Sequence, residues 1–109
     1  MSVATISDRY AVVRGRVDSA CASAGRAPEE VTLVAVSKTR PVEMLREALA
    51  AGALHLGENY AQELRDKAGE LQGDEPAPIW HFIGRLQRNK VKYVAGAADL
   101  FHAFDNLKL

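Results

Sequence analysis

The sequence predicts an α/β protein with a parallel sheet, on two observations. Short apolar segments alternate along the chain with stretches in which apolar residues recur every three or four positions, as strands alternate with amphipathic helices. Each connection is long enough for a right-handed crossover, which sets consecutive strands parallel. Four such strands are about half of an eight-stranded barrel. We therefore predict about half a parallel (β/α) barrel of the TIM type, preceded by an N-terminal helix.

Length and composition indicate one small domain. The 109 residues fit a single domain, with the N-terminal helix at 1–25 and βα units at 31–109. Lys plus Arg and Asp plus Glu both total 14, so the net charge gives no sign of a nucleic-acid or membrane partner. The single cysteine, Cys21, cannot form a disulfide within the chain. Charged residues interrupt the N-terminal apolar residues, and the sequence predicts a soluble, cytoplasmic protein.

The elements follow from local patterns. Ser7 is the expected N-cap of the first helix, and Gly25 is the residue that ends it. VTLVAVS, from Val31 to Ser37, has the unbroken apolar character of a strand buried on both faces. Further elements are expected as a helix from Pro41 to before Gly52, a strand at 53–57, a helix from Asn59 to about Leu71 with an Asn59–Gln62 capping box, a strand at 79–84, a helix at 86–95, a strand at 99–104 and a helix start at 106–109.

The sheet has two ways to close, as a barrel or as an open doubly wound sheet. No G-x-G-x-x-G follows the first strand, which counts against a dinucleotide-binding fold. The chain stops at a helix start and leaves an unpaired strand edge, as a fragment would. We expect that two half-barrels could pair through such edges as a homo-oligomer.

Lys38 is the first candidate for chemistry. It ends the predicted strand, and ligands of parallel βα folds bind beyond the carboxyl ends of the strands. A lysine amine beside an apolar wall is more readily deprotonated, and the free amine attacks aldehydes and ketones to form a Schiff base. The alternative is a lysine that reaches from a strand end into solvent. Position alone favours the solvent interpretation.

Asn59 and the histidines are further candidates. Asn59 follows the second strand at the same edge, either as an N-cap or as an amide that faces a ligand. The three histidines fall in successive predicted strands, but no acidic residue accompanies them in a ligand pattern, so packed histidines are favoured over a metal site. Trp80 and Phe82 must face opposite to His81, and the sequence does not choose which face is buried. The basic residues from Arg85 to Lys92 are typical of a solvated helix face.

Three motifs carry a resemblance to a known family. VAVSKTRP, HLGENYAQE and WHFIGRLQRNK, in this order and spacing, are similar to those of the YggS/PROSC family of pyridoxal phosphate homeostasis proteins. The resemblance implies an alanine racemase N-terminal-domain-like barrel that holds pyridoxal 5′-phosphate (PLP). It implies that Lys38 forms the Schiff base with PLP and that Asn59 lies near the cofactor. It also implies, with a looser match, that Val36 and His81 line the pocket.

The resemblance also implies a role. The family acts in vitamin B6 supply and in amino- and keto-acid balance without a defined catalytic turnover, and PLP-dependent apoenzymes are its candidate partners. A racemase needs a second proton donor on the opposite face of the cofactor, which another domain supplies there. Family members are about twice as long, and their phosphate-binding segments lie in the half that this chain does not match.

Two alternatives stay open at this point. The first is a PLP-dependent enzyme on the same racemase-like scaffold, which steady turnover of an amino acid would reveal. The second is a truncated, cofactor-free barrel that acts only through oligomerisation or a partner. An absorbance band that appears with PLP and disappears in Lys38→Ala separates the Schiff-base protein from this second alternative.

Overall fold

The computed structural model describes residues 4–102, which form a parallel four-stranded sheet with helices packed against one face. The strands lie side by side in chain order, and each neighbouring pair is parallel. They are β1 (Ala35–Val36), β2 (His55–Glu58), β3 (Ile79–Phe82) and β4 (Leu100–Phe101). The helices are α1 (Ile6–Ala24), α2 (Val42–Ala50), α3 (Ala61–Glu70) and α4 (Val91–Ala95). The predicted α/β class and parallel sheet are confirmed.

The N-cap of helix α1 lies two residues before the predicted one. Thr5, not Ser7, caps it: the Thr5 side chain accepts from the Asp8 amide, and the Asp8 carboxylate accepts from the Thr5 amide. This capping box satisfies two amides that the helix itself leaves unpaired. Gly25 ends the helix in the left-handed conformation, as predicted. No helix in residues 4–102 is both long and apolar enough to cross a membrane.

The core lies between the helices and one face of the sheet. Leu56, Trp80 and Phe82 project from the strands onto that face, and Leu64 of α3 is fully buried among them. Because side chains alternate along a strand, His81 projects from the other face. The structure thus makes the choice that the sequence left open. The remaining buried members of the core come from all three crossover helices and their ends: Leu45, Leu49, Ala61, Leu71 and Val94.

Several predicted elements were too long. The strand predicted at 31–37 pairs with β2 only at Ala35 and Val36. The reason is that the residues just before β2 bond to the end of α2, where the Ala53 amide donates to Ala48. The helix predicted at 86–95 is a 3₁₀ turn (Arg88–Lys90) followed by the short α4, because Gln87 is extended. The helix start predicted at 106–109 and the end of the last strand lie outside the described residues.

Gly84 permits a close approach between the loops that follow β2 and β3. A Cβ atom added at Gly84 would lie 2.1 Å from the Asn59 carbonyl oxygen and 2.8 Å from the Asn59 Cα. Only a residue without a side chain fits there. The position of the backbone around Asn59 therefore depends on this glycine.

Replacing Gly84 by Ala should destabilise the protein, because the new Cβ forces one of the two loops to move. We expect a loss of at least about 1–3 kcal/mol in the free energy of unfolding, measured by urea denaturation. Gly15→Ala is the matched control. Gly15 lies inside α1 with nothing within 4 Å of an added Cβ, so this change should stabilise by about 0.5–1 kcal/mol. Equal stability of the two variants would contradict the close approach.

Candidate functional site

Lys38 and Asn59 follow neighbouring parallel strands at the same edge of the sheet. Val36 pairs with Gly57, and Gly57 pairs with His81, so these three residues form one row across the sheet. Lys38 and Asn59 each come two residues beyond that row, past the carboxyl ends of β1 and β2. The prediction that Lys38 is the last residue of the strand is wrong. Lys38 lies in the turn between β1 and α2.

The Lys38 side chain is available for chemistry. It is exposed, and within residues 4–102 its amine takes part in no hydrogen bond and no ion pair. An unengaged primary amine at the carboxyl edge of a parallel sheet can add to an aldehyde or ketone without first breaking a contact. The structure therefore offers the reactive group that a carbonyl cofactor requires.

The backbone on both sides of Lys38 is fixed, although the side chain is not. Before it, the Ser37 amide donates to Gly57 across the sheet at 2.9 Å. After it, Thr39 adopts the left-handed conformation, with φ at 62°, and its amide donates to the Glu63 carboxylate of α3 at 2.7 Å. A β-branched residue rarely takes that conformation, which costs about 1–3 kcal/mol unless its surroundings impose it. The bond from α3 is the contact that holds it.

A buried ion-pair network lies directly beneath this turn. The Lys67 ammonium of α3 donates to the Ser37 carbonyl oxygen at 2.6 Å and pairs with Glu58 at 2.9 Å and Glu63 at 2.7 Å. The Ser37 hydroxyl also donates to the Glu58 carboxylate. Lys67 and Glu58 are 6% and 0% exposed, so both charges are removed from water. One ammonium group thus joins β1, β2 and α3 below the candidate site.

Burial is the dominant influence on Glu58. It raises the pKa of this carboxyl above its usual range, although the hydrogen bonds from Ser37 and Lys67 and the positive charge of Lys67 act in the opposite direction. The second carboxylate oxygen, Oε1, is buried without a hydrogen-bond partner in the described residues. Glu58 is therefore held in an environment that its charge does not favour, and Lys67 is its compensating group.

The sequence prediction missed this network, although a signal for it was present. Leu64, Lys67 and Leu71 follow one another at three- and four-residue steps in the buried stripe of α3. A lysine at a core position of an amphipathic helix requires a buried anion. Glu58, at the end of an otherwise apolar strand, supplies it.

The predicted capping role of Asn59 is wrong. The N-cap of α3 is Tyr60, which makes no side-chain capping bond. Gln62, the expected partner in the capping box, instead accepts a hydrogen bond from Lys90 at 3.2 Å. The Asn59 side chain makes no hydrogen bond within residues 4–102, so its amide is unengaged at the edge that it shares with Lys38.

An open cavity of about 590 Å³ lies beside Asn59, between the start of α3 and the loop after β3. Its polar lining is basic, since Arg85, Arg88 and Lys90 border it. Neither Lys38, Val36 nor His81 lines this cavity, and Val36 borders a separate one of about 260 Å³. The described residues therefore bring Lys38 and Asn59 to one edge without enclosing the four predicted site residues in one pocket.

Val36 and His81 project from the face of the sheet opposite the core, here called the histidine face. Val36 is 55% exposed there. His81 lies between the other two histidines: His55 Nδ1 is 2.9 Å from His81 Nε2, and His81 Nδ1 is 2.8 Å from His102 Nε2. Their ring nitrogens bond to each other, and residues 4–102 contain no group of three or more ligands placed to hold a metal ion.

His81 is almost completely buried, at 3% exposure. Burial lowers the pKa of His81 below its ordinary value, and the charges of His102 and His55 lower it further, while Asp99 acts in the opposite direction. The fold therefore favours the neutral ring of His81 more than water would. The hydrogen bonds to the flanking rings then fix its orientation.

Comparisons with known proteins agree with this arrangement. No family model matches the chain. A protein of Escherichia coli K12 named pyridoxal phosphate homeostasis protein is 44% identical over 105 residues, which cover 95% of this chain and 45% of that protein. The solved structure of PipY from Synechococcus elongatus with PLP bound has a TM-score of 0.69 and 38% identity, and the match covers 84% of this chain and 43% of PipY.

A third similar structure is that of an unknown protein from Bifidobacterium adolescentis. Its TM-score is 0.82 at 30% identity, covering 94% of this chain and 46% of that one. The chain spans about half the length of the curated relatives that it matches. The relatives in sequence and the PLP-bound structural neighbour both support the family that the three motifs resemble. The chain belongs to the YggS/PROSC family of pyridoxal phosphate homeostasis proteins, of whose length it matches about half.

Proposed function

We propose that this chain contributes the Schiff-base half of a PLP-binding site, with Lys38 bound covalently to the cofactor, in a protein of intracellular PLP homeostasis. The observation that carries the proposal is the Lys38 amine, which is exposed and unengaged in the described residues at the carboxyl edge of the sheet. PLP supplies an aldehyde that a lysine amine can hold reversibly as a Schiff base.

The fixed backbone around Lys38 supports this role. Ser37 and Thr39 are both held by groups on α3, through the Ser37 carbonyl oxygen and the Thr39 amide. In a covalent site the backbone of the nucleophilic residue must be held in place, so that only its side chain has to move to reach the aldehyde. The residues before and after Lys38 are therefore positioning residues, and Lys38 is the group that reacts.

Asn59, Val36 and His81 are proposed as the neighbouring contacts of the cofactor. Asn59 has an amide that is unengaged in the described residues and can donate or accept, and Val36 and His81 lie in one row of the histidine face. We propose further that residues 1–109 form a single domain whose sheet is half of a racemase-like barrel. The remaining contacts, including those to the phosphate, come in this proposal from the part of the relatives that the chain does not match.

A carrier role is favoured over turnover. The relatives are named for PLP homeostasis rather than for an enzymatic activity, and the described residues place Lys38 at the edge without a second proton donor bonded to it. Reversible storage of an aldehyde needs only the amine. Transfer of PLP to apoenzymes, a cytoplasmic location and pairing of two copies through the open sheet edges stay predictions.

The proposal is tested by trapping the covalent bond. We expect that adding PLP and then borohydride increases the intact mass of the 109-residue chain by one phosphopyridoxyl group, located on Lys38 by peptide mapping. Lys38→Ala should lose this modification because it removes the exposed, unengaged amine that the proposal assigns to the cofactor. Lys92→Ala, which removes an exposed lysine of α4, is the matched control and should retain it.

Two results would contradict the proposal. One is an adduct of equal yield in Lys38→Ala. The other is modification spread over several surface lysines in the unchanged chain, in proportion to their exposure.

Replacing Lys67 by Met should destabilise the protein and slow Schiff-base formation at Lys38. The change leaves Glu58 buried without its counter-charge, and breaking a buried pair in this way costs about 3–5 kcal/mol. Urea denaturation measures the stability, and the rate of the absorbance change with PLP measures the reaction.

Lys92→Met is the control for the loss of a lysine at an exposed position. Glu63→Gln serves as the milder variant, because the amide oxygen still accepts from the Thr39 amide while the charge is lost. Lys67 has no positioning role if Lys67→Met and Lys92→Met react with PLP at the same rate.

A further inference from the structure

We propose that His55, His81 and His102 form a proton-relay site on the histidine face, which binds one excess proton and passes it between β2 and β4. The two ring-to-ring distances of 2.9 and 2.8 Å are those of hydrogen bonds. His55 and His81 lie in β2 and β3, and His102 directly follows β4. His81 pairs with Gly57 and Leu100 rather than with His55 and His102, so the row of rings crosses the sheet diagonally. The inference rests on this geometry and does not depend on Lys38 or on a cofactor.

The geometry couples the tautomers of the three rings. A neutral imidazole has one N–H donor and one bare nitrogen acceptor. In both contacts an Nδ1 atom faces an Nε2 atom, from His55 to His81 and from His81 to His102. If His55 carries its proton on Nδ1, then His81 must accept on Nε2 and donate from Nδ1, and His102 must follow. The neutral row therefore has two states, all Nδ1–H or all Nε2–H.

The row accepts one further proton without losing a hydrogen bond. When His81 takes it, both of its nitrogens donate, and His55 and His102 each present a bare nitrogen to it. When either end ring takes the proton, that ring donates to His81, and His81 donates to the ring at the other end. A second proton would place two N–H groups face to face in one contact. The capacity of the intact row is thus one excess proton.

Passage of this proton needs no oxidant or second reactant. A proton that arrives at the outer nitrogen Nε2 of His55 lets His55 pass its Nδ1 proton to His81, and His81 passes its own to His102. A proton then leaves from Nδ1 of His102, and the row is left in the opposite tautomer. One N–H bond forms and one breaks at every ring. The buried central ring, 3% exposed, exchanges protons through its two more exposed neighbours.

The surroundings leave the row as the titrating unit of this face. Asp99 is the charged group that acts on His81 besides the two histidines, and its carboxylate is held by the Trp80 amide at 2.7 Å. Glu58 and Lys67 face the core side of the sheet and pair with each other. On β1, Val36 is in register with Gly57 and His81, and it carries no ionisable group.

Ring-nitrogen NMR of the ¹⁵N-labelled 109-residue chain tests the proposal directly. At high pH we expect one common tautomer in all three rings. On lowering the pH, all three rings should respond in one shared step, followed by a second step separated by more than about one pH unit, as interacting sites show. Mixed tautomers at high pH, or three independent titrations that each reach full protonation at an ordinary histidine pKa, would overturn it.

A double variant separates relay from packing. His55→Asn and His102→Gln put an amide nitrogen or oxygen where each end ring presents Nδ1 or Nε2, which keeps a hydrogen bond to His81 but carries no proton. Exchange of the His81 ring N–H with solvent should slow by on the order of tenfold in the double variant, while exchange of the Trp80 and Phe82 amides stays unchanged. An unchanged His81 exchange rate would overturn the relay. If the double variant does not fold, the tautomer and titration of the unchanged chain decide alone.

Discussion

The position of the Lys67 ammonium is the constraint on which the candidate site depends. A lysine within the buried stripe of α3 can remain charged only where anions and carbonyl oxygens surround it, and here they come from β1, β2 and α3 itself. The Lys67 ammonium reaches these acceptors in only one position, so it fixes the register of α3 against the strands. The turn that bears Lys38 is bonded to the same helix. The position of the Lys38 amine thus depends on a buried charge that does not contact the ligand.

The sheet separates stability from chemistry by its two faces. One face carries apolar side chains that pack against the crossover helices, and it supplies nearly all of the hydrophobic core. The other face carries Val36, the histidines and Gly57. A side chain at Gly57 would be crowded by Ile83 and Val34. Because alternate residues of a strand point to opposite faces, substitutions on the histidine face leave the core packing intact. Val36, 55% exposed on this face, can therefore change without opening a cavity in the core, whereas His81 is buried between the two rings to which it bonds.

Local patterns were sufficient for the class of fold and the order of its elements, because the periodicities of apolar residues reflect burial directly. They predicted Lys38 at the correct edge for the same reason, since its place follows from the end of an apolar strand. They failed where a backbone group had two competing partners. Asn59 looked like a helix cap, but α3 begins at Ala61, and the Ala53 amide went to the end of α2 rather than to the sheet. The Lys67 network joins residues of separate elements, so spacing along the chain could only hint at it.

Helix α1 is attached to the rest of the protein very differently from α3. Its single buried residue is Cys21, and two side chains bond to backbone outside the helix: the Tyr10 hydroxyl to Gly52 at 3.2 Å and the Arg14 guanidinium to Pro28 at 3.3 Å. An element held by so few buried groups opens locally long before the whole domain unfolds. Cys21 is the only thiol in the chain. The rate at which a thiol reagent labels it therefore measures how often the buried side of α1 around Cys21 becomes exposed, so that the protein carries its own reporter of local unfolding.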